Sequence, residues 1–500
     1  MQRRDTVVEA PQFTPTNSQA APNGKSAPIA PLSAGAKACW RDMREFMAFL
    51  KENGELIHIA EEVDPEWEVN GITRIALQDH GPAIVFDRIK GADLPMATAL
   101  LGNDRRFLWS LGIERWSDFN EEWLRRTAQP VPPKIVQEAP CQEVVVSGDA
   151  IDLDKICNVV WHERDGGPFP GTLSVSVTKD PDTGVLNAGI YRMGTLEKDI
   201  LGWGAPEYTH GRQHYMKYEA RGEPMPMAVI TGYDPSVLIC ASTRTPPGID
   251  EFQIAGGIRG EPLEMVKCKT IDMLVPATTE MVWEGHVVPH ERRIEGGFGE
   301  YTGFYGEARD NPFFQIETIT HRKDPIYLGT REQWYPSESA YVVGRPSQAE
   351  AYKTLKSLVP GIIDLRCDVT YEAIVKIDKL FPGHPQQVID AVWGATYARY
   401  KHVIVVDKDI DIWDYDSVHW ALSTRVRADR DVTISPRRAG QWLDPAVSLR
   451  EKGWQTQMGI DATLCTEEYE FWGEEPAVTV DDPATVARVR EKWGDKVGWR

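Results

Sequence analysis

Cysteine is scarce in this chain and never paired by spacing. Its seven thiols, at positions 39, 141, 157, 240, 268, 367 and 465, are scattered and odd in number, and no two form a CxxC. That excludes a zinc ribbon and a disulfide framework, and reduced thiols in a cytoplasmic protein are the expectation. Long apolar runs are also missing, since none approaches the roughly 18 residues that span a bilayer. The start, Met1-Gln2-Arg3-Arg4, is basic, but Asp5 and Glu9 follow with no apolar signal core. Positive charge is in deficit, 55 Lys and Arg against 75 Asp and Glu, for a net charge of −20. With no Lys/Arg block to offset it, this field repels phosphate backbones and anionic membrane surfaces, so neither nucleic acid nor membrane is an expected partner. An anionic substrate has to be met by specific cations inside a pocket. There is also no GxSxG elbow, no P-loop and no GxGxxG after a strand. His286-Val287-Val288-Pro289-His290 is no zincin helix, because Pro289 breaks it.

What is present is ordinary globular composition, 42% apolar and 26% charged over 500 residues. At roughly 150 residues per domain the chain holds about three domains. Residues 1–38 are rich in Ala, Pro, Ser and Asn without apolar periodicity and read as a disordered arm. From 39 to 141, helix-like and strand-like segments alternate, which predicts an α/β domain. Met43, Phe46, Met47 and Leu50 lie at helical spacing, and the stretch from Asp104 to Arg126 reads as a further helix. From 142 to 338 short strands closed by Gly and Pro turns predict a barrel or sandwich, with one helical insert near Pro206 to Glu219. Val237 to Ala241 is read there as a strand. From 339 to 500 the alternation returns as a C-terminal α/β domain, ending in a tail expected to serve oligomerisation.

Two stretches carry candidate chemistry. Arg292-Arg293-Ile294-Glu295-Gly296-Gly297-Phe298-Gly299-Glu300 places two carboxylates around three glycines. Such a pair suits acid/base work if burial lifts one pKa toward neutrality, while a solvated loop with surface glutamates is the alternative. Val185 to Arg192 reads as a strand with Asn187, Gly189 and Tyr191 on one face and Arg192 on the other. Arg192 can clamp a carboxylate, or can simply sit on an exposed edge. His210 and Glu251, with an amide oxygen, would suit Mn²⁺ better than zinc, though nothing in their spacing demands a metal. The aspartates of Asp407-Lys408-Asp409-Ile410-Asp411 are expected to cap the following helix.

Taken together the segments resemble the UbiD family of reversible, non-oxidative decarboxylases, from about residue 40 to about residue 465. The resemblance rests on motifs in the family's order. They are Asp165-Gly166-Gly167, the strand from Asn187 to Arg192, His210, the run Val275 to Gly285, Glu295 to Glu300, and Asp409-Ile410-Asp411-Ile412 leading to Trp420 through Arg425. It implies an α+β fold with an N-terminal α/β domain, a central split β-barrel of flavin-reductase type and a C-terminal α/β domain. It also implies prenylated FMN, contacted by Asn187, Ala188, Gly189, Ile190, Arg192, His210 and Glu251. The flavin phosphate would be held through Mn²⁺ or a similar divalent ion, with K⁺ nearby. Asn187, His210 and Glu251 would be the metal ligands and Glu295, Arg192 and Glu300 the catalytic network. The implied substrate is a small aromatic, heteroaromatic or α,β-unsaturated carboxylic acid. A flavin prenyltransferase would supply the cofactor, and the assembly would be a homodimer or homohexamer. A lysine that some members place against the cofactor phosphate has no assigned counterpart, and residues 1–38 have none either. A catalytically silent UbiD-like subunit or flavin carrier, and a flavin-free metal-dependent hydrolase, are the competing functions.

Overall fold

The computed structural model describes residues 37–243, 245, 248–368, 371–396, 400–441, 443–447, 453–465 and 483–497. The expected arm therefore lies outside the described residues up to position 36, as does most of the stretch that follows the last strand.

The first domain opens with the helix Met43–Glu52. Asp42 caps it by accepting from the Glu45 N–H at 2.9 Å, and Met43, Phe46, Met47, Phe49 and Leu50 form its buried face. The helix expected from Asp104 to Arg126 is two helices, Asp104–Ser110 and Trp116–Thr127. The chain turns between them at Gly112, whose φ of 61° lies in the left-handed region that glycine enters without strain. The sheet runs in the order Leu56–Val63, Ala83–Ile89, Met96–Thr98, Tyr327–Leu328. Its last strand arrives from far along the chain, so the segment from 329 onward starts from the first domain's sheet.

The central sheet has eight strands. Seven run in the order Leu186–Ile190, Val175–Lys179, Met225–Thr231, Met281–Val287, Phe313–His321, Ile200–Gly202, Thr195–Glu197, and Val144–Ser147 also pairs with Phe313–His321. Along Met225–Thr231 alternate residues enter different cores. Met225, Met227 and Val229 join Trp203, Trp283 and Phe314, whereas Ala228 and Ile230 join Val175, Val177 and Val282. Burial on both faces explains why these strands read as continuous apolar runs. Among the described residues no ladder joins the two end strands, Leu186–Ile190 and Thr195–Glu197, so the sheet does not close into a barrel. Tyr191 to Gly194 crosses that seam.

Among the described residues four α-helices, not one, belong to this region: the single turn Leu153–Ile156 and the longer His210–Arg221, Pro235–Ala241 and Glu251–Arg259. The strand expected at Val237 to Ala241 is the third of them. Asp234 accepts from the Ser236 N–H at 2.6 Å and Pro235 sits in the first turn, and these local start signals prevail where a short apolar run is ambiguous.

The C-terminal sheet runs Ile362–Asp368, Glu372–Ile377, His402–Asp407, Trp454–Ala462, Val432–Ala439, with helices Arg345–Leu358, His384–Ala395 and Tyr415–Arg425. The aspartates after His402–Asp407 do not cap the next helix. Asp414 does so, while Asp407 and Asp409 bind Arg425 at 2.7 and 2.5 Å. All seven cysteines are free. Among the described residues no helix is long and apolar enough to cross a membrane.

Candidate active site

Arg192 occupies the seam of the open sheet and is clasped by two glutamates. Its Nε faces Glu295 Oε2 at 3.4 Å, and a terminal guanidinium nitrogen donates to Glu300 Oε1. Glu295 is fully buried. Its Oε1 accepts from the Gly194 N–H at 2.9 Å, and its Oε2 also accepts from Asn311 Nδ2 at 2.7 Å. Burial pushes the Glu295 carboxyl up, and the Arg192 charge and these donors only partly offset it. Burial raises Glu300 in the same way against Arg192 and Arg309, with Asp165 adding to the rise. For Arg192 burial works downward, but the charges of Glu300 and Glu295 prevail and hold it above the usual guanidinium value.

Glycines make this close packing possible. A Cβ at Gly166 would fall 2.4 Å from the Gly296 Cα, so the two backbones cross in contact, joined by the Gly166 N–H to Gly297 carbonyl bond at 2.9 Å. A Cβ at Gly202 would fall 2.9 Å from Glu295 Cγ. A brace fixes the loop that carries Glu300. Asp165 Oδ1 accepts from the Gly299 N–H at 2.9 Å, Asp165 Oδ2 meets His162 Nδ1 at 3.1 Å, and His162 Nε2 meets the Glu332 carbonyl at 2.7 Å. Beyond Glu295, a cavity of about 230 Å³ is lined by Gly166 to Phe169, Gly194 to Leu196 and Ile294 to Gly296.

The second group of candidates gathers around the strand Leu186–Ile190. Glu251, the first residue of its helix, is buried, and its Oε2 accepts from the Ala188 N–H at 2.9 Å while Oε1 accepts from Thr245 Oγ1 at 2.6 Å. Burial lifts its carboxyl to about 7, with those donors working against the rise. His210 opens the helix His210–Arg221, and burial lowers its imidazole, which keeps it in the neutral form able to bind a metal. The Asn187 amide is buried and its Nδ2 has no hydrogen-bond partner among the described residues. The Tyr191 hydroxyl ties the group together. It lies against the Asn187 and Thr209 side chains, accepts from the Gly211 N–H at 3.3 Å and feels the charge of Glu251. Gly189 leaves room for that ring, since a Cβ there would fall 2.5 Å from the hydroxyl. Ile190 ends the strand partly buried. Asn187 and His210 line one cavity of about 290 Å³ with Asp180, His214 and Lys217. Among the described residues no cluster of three or more His, Cys, Asp or Glu is poised as a metal site. The candidate set reaches three donors only through the Asn187 amide.

Three regions of the chain match successive domains of 3-octaprenyl-4-hydroxybenzoate carboxy-lyase: the N-terminal domain over 47–127, the Rift-related domain over 134–333 and the C-terminal domain over 340–462. The chain belongs to the UbiD family. It is a carboxy-lyase of that family, and its solved neighbours include vanillic acid and 3,4-dihydroxybenzoic acid decarboxylases. An uncharacterized protein of Archaeoglobus fulgidus is 34% identical over 481 residues, covering 91% of this chain and 98% of the relative. The vanillic acid decarboxylase of Sedimentibacter hydroxybenzoicus superposes with a TM-score of 0.82 at 31% identity, over 92% of this chain and 98% of its own. An evolved dimeric form of the UbiD-class enzyme HmfF from Pelotomaculum thermopropionicum, in complex with prFMN, gives 0.77 at 31% identity, over 88% and 97%.

Several members of this candidate site carried no usable sequence signal. Asn311 sits in an unremarkable polar turn strand, and the Gly194 N–H is a backbone donor. Glu332 follows the strand Tyr327–Leu328 with nothing in its sequence neighbours to mark it. Asp165 stood within a quoted motif, but its brace to Gly299 through a side-chain oxygen is visible only in three dimensions.

Proposed function

We propose that this chain is a non-oxidative, reversible decarboxylase of an aromatic, heteroaromatic or α,β-unsaturated carboxylic acid that works with prenylated FMN. The observation that carries the proposal is the Glu295–Arg192–Glu300 cluster in the seam of the open sheet, with Glu295 buried and Arg192 and Glu300 mostly so. A flavin is supported by the structural relatives at 31% and 33% identity, HmfF having been solved with prFMN and with FMN. When bound, the prenylated flavin supplies an electron sink for the pair left when CO₂ departs from an sp² carbon.

The remaining work falls to the chain's own side chains. Arg192 orients the substrate carboxylate, whose transfer out of water is unfavourable unless a cation meets it. Glu295, held by Arg192, Gly194 and Asn311, keeps the guanidinium in place as the counter-charge. Glu300, raised by burial, delivers the proton that replaces CO₂, a general-acid role worth roughly 10²- to 10⁴-fold.

Asn187, His210 and Glu251 fit a divalent ion such as Mn²⁺. They offer an amide side chain whose oxygen could ligate, a neutral imidazole and a buried carboxyl that a cation would ionise. Ala188, Gly189 and Ile190 would lie along the flavin, with K⁺ close by, and a homodimer or homohexamer is the assembly we expect. The test is co-expression with a flavin prenyltransferase, followed by a screen of aryl and acrylic acids for CO₂ release. A yellow protein that exchanges deuterium into the decarboxylated carbon of its product supports the reading. A colourless protein, inert toward every acid, overturns it.

A further inference from the structure

Decarboxylation consumes one proton per turnover, because RCOO⁻ and H⁺ become RH and CO₂. If Glu300 supplies that proton it must be recharged before the next turnover. The segment after Tyr327–Leu328 holds a second carboxyl, Glu332, within electrostatic reach of Glu300. Glu332 is braced to the Glu300 loop, since its carbonyl meets His162, and His162 meets Asp165, which holds the Gly299 N–H.

The Glu332 side chain is buried in an unusual way. Its Oε1 accepts from Ser339 Oγ at 2.5 Å, whereas its Oε2 is buried without a partner among the described residues. Other buried glutamates are fully employed. Glu338 accepts from the Ala99 and Leu101 N–H groups at 3.0 and 2.8 Å, and Glu284 from those of Lys269 and Thr270 at 2.9 and 2.7 Å. A buried acid with a free oxygen is unfavourable, and such groups in folded proteins call for an explanation. Function is one.

We propose that Glu332 is the proton reservoir of this site: it passes its carboxyl proton to Glu300 after Glu300 has protonated the product, and regains one from solvent. The inference rests on the decarboxylase reading above. In the step the Glu332 O–H bond breaks and a Glu300 O–H bond forms, the proton passing through intervening water. The electron pair of the lost C–C bond ends in the new C–H bond, so nothing is oxidised or reduced. Two carboxyls in one site do not readily ionise together, so once Glu300 has given up its proton the pair still holds one, which Glu332 and Glu300 share. Burial, and then the charges of Glu300 and Glu338, lift it to about 8, so it is stocked at neutral pH. Glu332 thus acts through Glu300 and does not touch the substrate.

The experiment uses flavin-loaded enzyme and the acid that the CO₂-release screen returns. Glu332→Gln is expected to release one equivalent of CO₂ per site at the wild-type rate. It then slows by about 10²-fold, at unchanged KM, because the recharged donor is missing. Deuterium exchange into the product slows with it, and Glu332→Asp, which restores an acid, abolishes the burst. A uniform loss of rate without a burst is what a merely structural role produces, and it overturns the proposal, as does an unchanged steady state. Infrared difference spectra of flavin-free protein, wild type minus Glu332→Gln at neutral pH, supply an arm independent of turnover. A protonated-carboxyl band supports the reservoir and its absence overturns it. A wild type that decarboxylates nothing sinks the decarboxylase reading instead, which keeps the two failures apart.

Discussion

The ionisation of Glu295 can be moved by a single neutral substitution. Its Oε2 receives Asn311 Nδ2 at 2.7 Å and Arg192 Nε at the longer distance of 3.4 Å. Asn311→Leu keeps the volume and removes the shorter bond. A hydrogen bond to a charged group is worth about 1.5–3 kcal/mol, and at 1.36 kcal/mol per pKa unit its loss raises the Glu295 carboxyl by about one to two units. The direction follows because the donor favours the ionised form. If turnover needs ionised Glu295, the acid limb of the kcat/KM profile moves by that amount to higher pH. The alkaline limb, set by the proton on Glu300, stays near wild type, because Arg192 and Glu300 are untouched. The same sign holds for stability. Burial already sets the folded-state value above the unfolded one, so this group's contribution falls as pH rises through that window, and Asn311→Leu deepens the fall. The assay is CO₂ release against pH, with thermal melting alongside. An acid limb that stays put, or a loss equal at every pH, refutes the assignment of Glu295 as the ionised partner.

Three further outcomes are expected. Glu300→Gln removes the proton donor and lowers CO₂ release by at least about 10²-fold, while flavin absorbance stays near normal; full activity would refute the role. Changing Asn187, His210 or Glu251 to Ala yields protein without the divalent ion, measured as metal content after purification, and unchanged content contradicts the ligand set. Gly296→Ala forces a Cβ to 2.4 Å from the Gly166 Cα, a backbone atom that cannot rotate away. The expected destabilisation is about 1–3 kcal/mol, read as a lower midpoint in denaturant titration, together with reduced activity from the displaced Glu295 and Glu300.

Much of the order along the chain was legible because its signals are local. Asp42 before the periodic run at Met43 to Leu50, and the Gly- and Pro-bounded strands of the central region, mark their own elements. Legibility failed where one local signal opposed another. Val237 to Ala241 is apolar enough for a strand, and only Asp234 with Pro235 turns it into a helix. Asp407 and Asp409 look like helix caps until Arg425, sixteen or more positions away, claims them. In the site, Glu295, Glu300 and Arg192 stood in recognisable stretches. Asn311 and Glu332 did not, because their importance comes from what the fold places beside them and not from their neighbours in sequence.

The charge of the site follows from the same packing. The chain carries −20 overall, and a substrate carboxylate must enter against that field to reach one guanidinium already flanked by two glutamates. With both glutamates ionised the cluster bears a net negative charge and repels the substrate. With Glu300 protonated, Arg192 and Glu295 cancel and the carboxylate meets a neutral, donor-rich pocket. On the proposed reading, burial, which raises Glu300, works two ways at once: it favours the form that makes room for the substrate's charge and that carries the proton to replace CO₂. When CO₂ leaves as a neutral molecule and Glu300 gives up its proton, the single negative charge that came in with the substrate remains on Glu300. The site then cannot accept another carboxylate until a proton arrives, so on this reading substrate affinity and the recharging of Glu300 share one pH dependence. Inhibition by a non-reactive aryl carboxylate should weaken as pH rises across the same range in which turnover fails, and binding that is flat across that range would break the link.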